Sequence, residues 1–424
     1  MIEQEKLLHR ASKVFPQGNL GNVNYDLILS NGSRSRVWDQ NGKEYVDYLL
    51  GSGPMIVGHS HPRVNEVVMN QLSKGTTFFI TNDLSIILAE EIIDAVACAE
   101  KVRFCSTGSE ATLYAMRLAR AFTKKDKILK FEGGYHGMND YALMSMYPKS
   151  LLEFPVAEPD SAGIPKSVQS EVLVAPFNDL ETTKNIVSEH LDDIGGIIVE
   201  PLQRLIPPVP GFLQGLRQIA DNFEIPLIFD ETVTGFRLAY GGAQEFYGVT
   251  PDICTLGKAI GGGFPLTAVA GKNQFMENFD KDIADSDSFL PQVGTLSGNP
   301  IACAAGLETL SILKEDGTYQ KMFEYGDMLK SHLEKEFSSA GIECVVQGES
   351  VLFDIFFCDA NTEIRDYRST LSADVGMLDK FNRSLLSSGV LKGASKFYFS
   401  SVHNDDDLDM TIRAIDKAVK EFKS

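Results

Sequence analysis

The chain has 424 residues, 43% hydrophobic and 23% charged, ordinary values for a globular protein with a sizeable core. A formal net charge of −19 argues against a nucleic-acid partner and gives no basic surface for an anionic membrane. No apolar run approaches the roughly 20 residues that span a bilayer, the start MIEQEKLLHRASKVF has no secretory h-region, and the six scattered cysteines lack metal-ligand spacing, so reduced thiols and a cytoplasmic location are expected.

Residues 3 to 14 read as a short helix. Arg36 to Asp39 and Glu44 to Leu49 flank Asn41-Gly42, a two-residue hairpin signal because both turn positions need positive φ. Gly51-Ser52-Gly53-Pro54-Met55 follows, and Gly58-His59-Ser60-His61-Pro62 opens a helix with Gly75 past its end. His59 and His61 have no apparent third metal ligand, and helix-start packing or hydrogen bonding explains them better. Residues 101 to 105 read as a strand, followed by Ser106-Thr107-Gly108-Ser109-Glu110 and a helix to about Phe122. Such a start offers free N–H groups and hydroxyls to a phosphate, although a plain N-cap has the same composition.

A strand over Lys127–Phe131 ends in Glu132-Gly133-Gly134-Tyr135-His136-Gly137. The Pro, Ser and Gly-rich stretch 147–167 reads as a long irregular connection, functional or plain surface. A strand at 171–175, a helix at 179–191 capped by Asn178, and a strand at 195–199 lead to Glu200 and Arg204. After a helix at 212–223, the apolar run Pro226–Phe229 delivers Asp230 and Glu231, and Ile253–Gly257 delivers Lys258, followed by Gly261, Gly262 and Gly263. Gly294 to Pro300 starts a long helix. Beyond about residue 312 the pattern is helix, strands (342–346 and 350–356), helix, strand, helix. The strand–helix alternation over 100–270 predicts a mostly parallel, doubly covered sheet. The fold class is therefore α/β, with a large domain over 61–311, a small α+β domain over 312–424, and residues 1–60 joining the small one.

Asp230 and Lys258 both stand at strand ends, which places them at a crevice outside the carboxyl edge of the sheet. The pair suits pyridoxal 5'-phosphate (PLP): a lysine holds it as a Schiff base, and an acid keeps its ring nitrogen protonated so that the ring draws electrons. A buried ion pair is the competing explanation. The three glycines beside Lys258 weigh against it, because a lysine on a surface helix has no need of them.

The motifs DETVTGFR, LGKAIGGGFPLTAVAGK, STGSEA, EGGYHG and GTLSGNP closely resemble those of the class III (ornithine-type) PLP aminotransferases, and most of all its glutamate-1-semialdehyde aminomutase branch. The resemblance runs from about Val37 to His403. It implies a fold-type I PLP-dependent transferase with catalytic Lys258 and Asp230, and a homodimer with shared active sites. It also implies that Gly108 and Ser109 bind the phosphate, Tyr135 lies against the pyridine ring, and Thr295 reaches the phosphate of the neighbouring subunit; Glu200, at a carboxyl-terminal strand end, and Thr232, two positions beyond Asp230, are expected on the cofactor side. Ser161 to Pro165 resembles that branch's mobile active-site loop. Three positions depart from the branch: Ser52 stands where a tryptophan is usual, PLQRLIPP after Glu200 is shorter than usual and lacks a Gly-Asn-Met stretch, and Ser395-Lys396-Phe397-Tyr398 replaces a segment that usually carries a glutamate. Thr232 is a milder departure. The altered positions are on the substrate side, so an intermolecular aminotransferase is favoured, with the aminomutase as the alternative. Ser52 and Arg204 are the substrate-side candidates. The planar fork of Arg204 suits a carboxylate, and a surface or structural salt bridge accounts for it equally well. The expected partners are a small amino donor and a carbonyl acceptor, with no metal, nucleic acid or membrane.

Overall fold

The computed structural model describes residues 3–423, and its largest sheet is built from the most apolar runs of the sequence. The strands are β1 (Lys101–Cys105), β2 (Lys127–Phe131), β3 (Val172–Ala175), β4 (Ile194–Val199), β5 (Leu227–Glu231), β6 (Ile253–Leu256) and β7 (Thr267–Gly271). They lie in the order β1-β7-β6-β5-β4-β2-β3. From β6 through β5, β4 and β2 to β3 every pairing is parallel. The exception is β7, which the alternation pattern does not announce and which pairs antiparallel with both β6 and β1. Two reversals return β1 to the common direction, so Cys105, Phe131, Val199, Glu231 and Leu256 end on one edge.

Both faces are covered, which is why β4 and β5 are buried along their whole length. On one face the helix Gly108–Thr123 lays Ala111, Ala115, Met116, Leu118 and Ala119 on Ile128, Ile198, Ile228 and Ile253. On the other, Phe131, Phe177 and Phe212 meet edge-to-face with centroids 4.8 to 6.0 Å apart. The helix Pro300–Leu313 lies against the turn Lys258–Gly261. A Cβ added at Gly306 would overlap the Ile260 carbonyl, so only glycine permits this approach.

Two local expectations are corrected. The helix Leu180–Glu189 is capped by Asp179, whose carboxylate accepts from the Thr182 amide at 2.9 Å, and not by Asn178. Asn178 has φ +63° and its side-chain amide donates to the Pro207 and Arg365 carbonyls. The hairpin near Asn41-Gly42 closes through a longer loop in which Gly42 has positive φ and Asn41 does not. The Asp39 carboxylate holds that loop by accepting from the Asn41 and Lys43 amides, both at 2.9 Å.

The described chain divides into two compact units. The large sheet belongs to residues 66–314, which a returning segment, 363–371, joins; the second unit comprises the described parts of 1–65, 315–362 and 372–424. Residues 1, 2 and 424, which the sequence reading placed in the terminal domains, lie outside the described residues. The second unit has a sheet of Leu29–Ser33, Arg36–Asp39, Glu44–Asp47 and Val390–Leu391, and another of Val345–Glu349, Leu352–Phe356 and Phe397–Tyr398. Helices Thr318–Ala340, Val375–Ser387 and Asp405–Lys423 pack with them around Tyr48, Phe337, Phe353, Phe381 and Phe399. There His59 Nε2 lies 2.7 Å from Asp47 Oδ2, a hydrogen-bonding role of the kind expected. Among the described residues no helix is long and apolar enough to cross a membrane.

Candidate active site

Asp230 is almost completely buried near the end of β5. Its Oδ1 accepts from the hydroxyl and amide of Thr232, at 2.6 and 3.1 Å, and from the Thr255 hydroxyl at 2.8 Å. Thr255 is its register partner on β6, so strand pairing itself supplies that donor. Its Oδ2 lies 2.9 Å from Nδ1 of buried His136. Burial alone would raise this carboxyl, but His136 and the two threonine hydroxyls outweigh it and hold Asp230 below the usual aspartate range. The other ring nitrogen, His136 Nε2, is buried without a hydrogen-bond partner among the described residues.

The segment after β2 that carries Tyr135 and His136 is fixed at several points. Glu200, just beyond β4, accepts from the Tyr135 amide at 2.8 Å. Arg368 grips Glu132 through two N–H groups at 2.7 and 3.1 Å. Buried Lys130 donates to the carbonyls of Gly134, Ala142 and Met144 at 3.0, 2.9 and 2.6 Å, while burial pulls its amine down to about 8. The stretch 147–167 is tied at several points up to Asp160. Asp160 accepts from the Met146 and Tyr147 amides, both at 2.7 Å, and Arg368 donates to the Leu152 carbonyl at 2.6 Å and covers the Phe154 ring at 4.1 Å.

At the start of the helix Gly108–Thr123, Thr107 and Glu110 form a reciprocal cap, with Glu110 accepting from the Ser106 and Thr107 amides. The next two amides, of Gly108 and Ser109, have no acceptor among the described residues and stand at the positive end of the helix dipole. Ser109 is held from behind, its hydroxyl accepting from the Met138 amide at 2.9 Å. Gly137, at φ +90°, leaves no room for a Cβ, which would sit 2.7 Å from Ser109 Cα. Cβ atoms built at Gly108 and Gly257 would both meet the Thr232 methyl, at 3.4 and 3.0 Å, so these three residues share one corner. Lys258 follows immediately, half-buried, with φ +48°. A lysine in the left-handed region is strained, and such strain concentrates at functional sites.

The structure thus brings together Gly108, Ser109, Tyr135, Glu200, Asp230, Thr232 and the backbone of Lys258. Thr295 is exposed in the turn Gly294–Ser297 and makes no hydrogen bond to these residues among the described ones. Ser52, with φ +67°, is exposed in the other unit. Arg204 lies beside Tyr135, its guanidinium carbon 5.5 Å from the ring centroid. Sequence reasoning left His136 nearly unassigned and did not single out Thr255 or Gly137. The only signals were a histidine directly after Tyr135 and a hydroxyl in the apolar run before Lys258. The donor set fits a flat group with a phosphate at one end, met by free amides, and a cationic nitrogen at the other, met by a buried carboxylate.

The chain is similar to known proteins over most of its length. The fold is similar to the crystal structure of an omega-transaminase from Sphaerobacter thermophilus, with a TM-score of 0.94 and 31% identity over 100% of this chain and 98% of that one. The family model described as Aminotransferase class-III matches residues 19–403, and the chain belongs to that family. A protein named glutamate-1-semialdehyde 2,1-aminomutase from Methanococcus maripaludis is 40% identical over 392 residues, covering 91% of this chain and 89% of the relative. Another of that name from Methanothermobacter thermautotrophicus is 39% identical over 434 residues, with both chains fully covered.

Proposed function

We propose that this protein is a PLP-dependent aminotransferase moving an amino group between a small amino donor and a carbonyl acceptor, working in the cytoplasm as a homodimer. One observation carries the reading: an ionised, buried Asp230, held by His136, Thr232 and Thr255, whose partner strand leads within two residues to Lys258. When bound, PLP supplies a protonated heterocycle that withdraws electrons from the substrate carbon. Asp230 keeps positive charge at the ring nitrogen. The Gly108 and Ser109 amides and the helix dipole hold the phosphate, and Tyr135, oriented by Glu200, supports the ring. Lys258 Nζ would hold the cofactor, and its amine, when free, would serve as the base and acid at the substrate carbon. Thr295 serves the site of the partner subunit. The unit with the large sheet is the cofactor domain, and the other is the small domain.

A second reading is glutamate-1-semialdehyde aminomutase, favoured by the names of relatives 39 to 40% identical. A panel of amino donors and acceptors, read by the absorbance of the lysine-bound cofactor, separates the two. Bleaching by a donor such as glutamate, with release of an oxo acid, is the expected result. Conversion of glutamate-1-semialdehyde alone into 5-aminolevulinate at a useful rate selects the aminomutase. Lys258→Ala is expected to cost at least roughly a hundredfold in rate and to abolish the borohydride-reducible adduct; a fully active variant would sink both readings.

A further inference from the structure

Residues 203–206 form a tight loop closed by two backbone hydrogen bonds, Gln203 N to Ile206 O at 3.0 Å and Ile206 N to Gln203 O at 2.8 Å. Arg204, the first residue of the turn, has φ +60°. Where positive φ is required there, glycine is the residue that adopts it without strain. Its flanking residues Leu202, Gln203, Leu205 and Ile206 are all buried, so the strain is imposed by a rigid frame. Arginine at such a position points to a use for its side chain.

That side chain is aimed. The guanidinium carbon lies 5.5 Å from the Tyr135 ring centroid and 5.6 Å from that of Tyr147, and Nη2 donates to the Tyr147 hydroxyl at 2.5 Å. Both rings are exposed, and Tyr135 follows the carboxyl end of β2. Tyr135 is one residue from His136, the partner of Asp230, and its phenol, raised mainly by burial, is also acted on by Arg204 and Asp230. Arg204 therefore stands beside Tyr135 on a fixed turn, with aromatic faces setting the plane of its fork.

We propose that Arg204 is the specificity-determining anchor for a carboxylate on the amino donor or acceptor, with Tyr147 orienting the guanidinium. The inference rests on the amino-transfer reading above and names the substrate class of that site. A merely structural clamp on the segment around Tyr147 makes different predictions. Glycine relieves the strain at φ +60°, so Arg204→Gly in the holoenzyme is expected to melt no lower than wild type. Its kcat/KM for L-alanine relative to isopropylamine, which differ by a carboxylate against a methyl group, is expected to fall roughly ten- to a hundredfold. Propanoate, a carboxylate without an amine, is expected to bind the wild-type holoenzyme in calorimetry and to lose that affinity in Arg204→Gly and partly in Arg204→Lys. A donor ratio within about twofold of wild type, or equal propanoate affinity in wild type and variant, overturns the proposal, as does a lower melting temperature with an unchanged ratio. If neither amine is turned over by wild type and no donor of the panel bleaches the lysine-bound cofactor, the amino-transfer reading fails, and propanoate calorimetry still decides the anchor.

Discussion

Asp230 and Glu231 are adjacent carboxyls on one strand, and the alternation of β5 sends them to different surroundings. Asp230 meets four donors and stays ionised. Glu231 is fully buried, with Oε2 accepting from the Ala243 amide at 2.5 Å and the Thr234 hydroxyl at 3.1 Å while Oε1 is unpartnered among the described residues. Burial pushes the Glu231 carboxyl up from 4.5 to about 7. The native state therefore binds a proton that the unfolded chain releases across this window. The associated stability is fully present below about pH 4.5 and is lost as pH rises toward 7, amounting to at most about 3 kcal/mol. Glu231→Gln carries no such titration. Unfolding measured at pH 5 and pH 8 should show the variant gaining on wild type at the higher pH. A difference independent of pH would show that Glu231 does not titrate there.

At the scale of elements, the segment after β2 and the start of the helix Gly108–Thr123 act together. Lys130, Arg368 and Glu200 fix the segment, and its Gly137 and Met138 brace Ser109. Gly137→Ala adds a Cβ 2.7 Å from Ser109 Cα on a backbone at φ +90°. Strain of about 1–3 kcal/mol is expected, together with faster loss of PLP on dialysis, because the displaced backbone carries the amide proposed to hold the phosphate. Gly211→Ala is the control. Gly211 has φ +88°, but its Cβ would meet nothing within 4 Å, so the backbone strain is comparable and Ser109 is untouched. Equal cofactor retention in the two variants would separate Ser109 from the phosphate.

For the whole molecule, much of the large sheet could be read from the chain because each parallel strand is a short apolar run ending in a glycine- or acid-marked turn. Asp230, Lys258 and Gly108 each stood at such a punctuation mark. The partners across the fold were hidden, because periodicity reports which face a residue takes and not what it meets. His136 reaches Asp230 from 94 positions away, β7 enters the sheet antiparallel, and residues 363–371 return to the large unit to grip Glu132. The surface poses a related question. Phe79 and Ile80 are 68% and 78% exposed, with Met69, Leu72, Phe78, Ile86 and Ile87 exposed nearby in sequence. Phe79 also holds φ +59°, an uncommon conformation for a bulky residue. Exposed apolar side chains concentrated in one stretch mark an association surface, and a second copy of the chain is the occupant that the proposed role of Thr295 requires. The protein is therefore expected to sediment at twice its 46.6 kDa chain mass. Phe79→Ser with Ile80→Lys should shift it toward monomer, and activity should fall in parallel with the dimer fraction, because each site then lacks the partner's threonine. A wild-type protein that sediments as a monomer at assay concentration and keeps full turnover would remove both the dimer and the role given to Thr295.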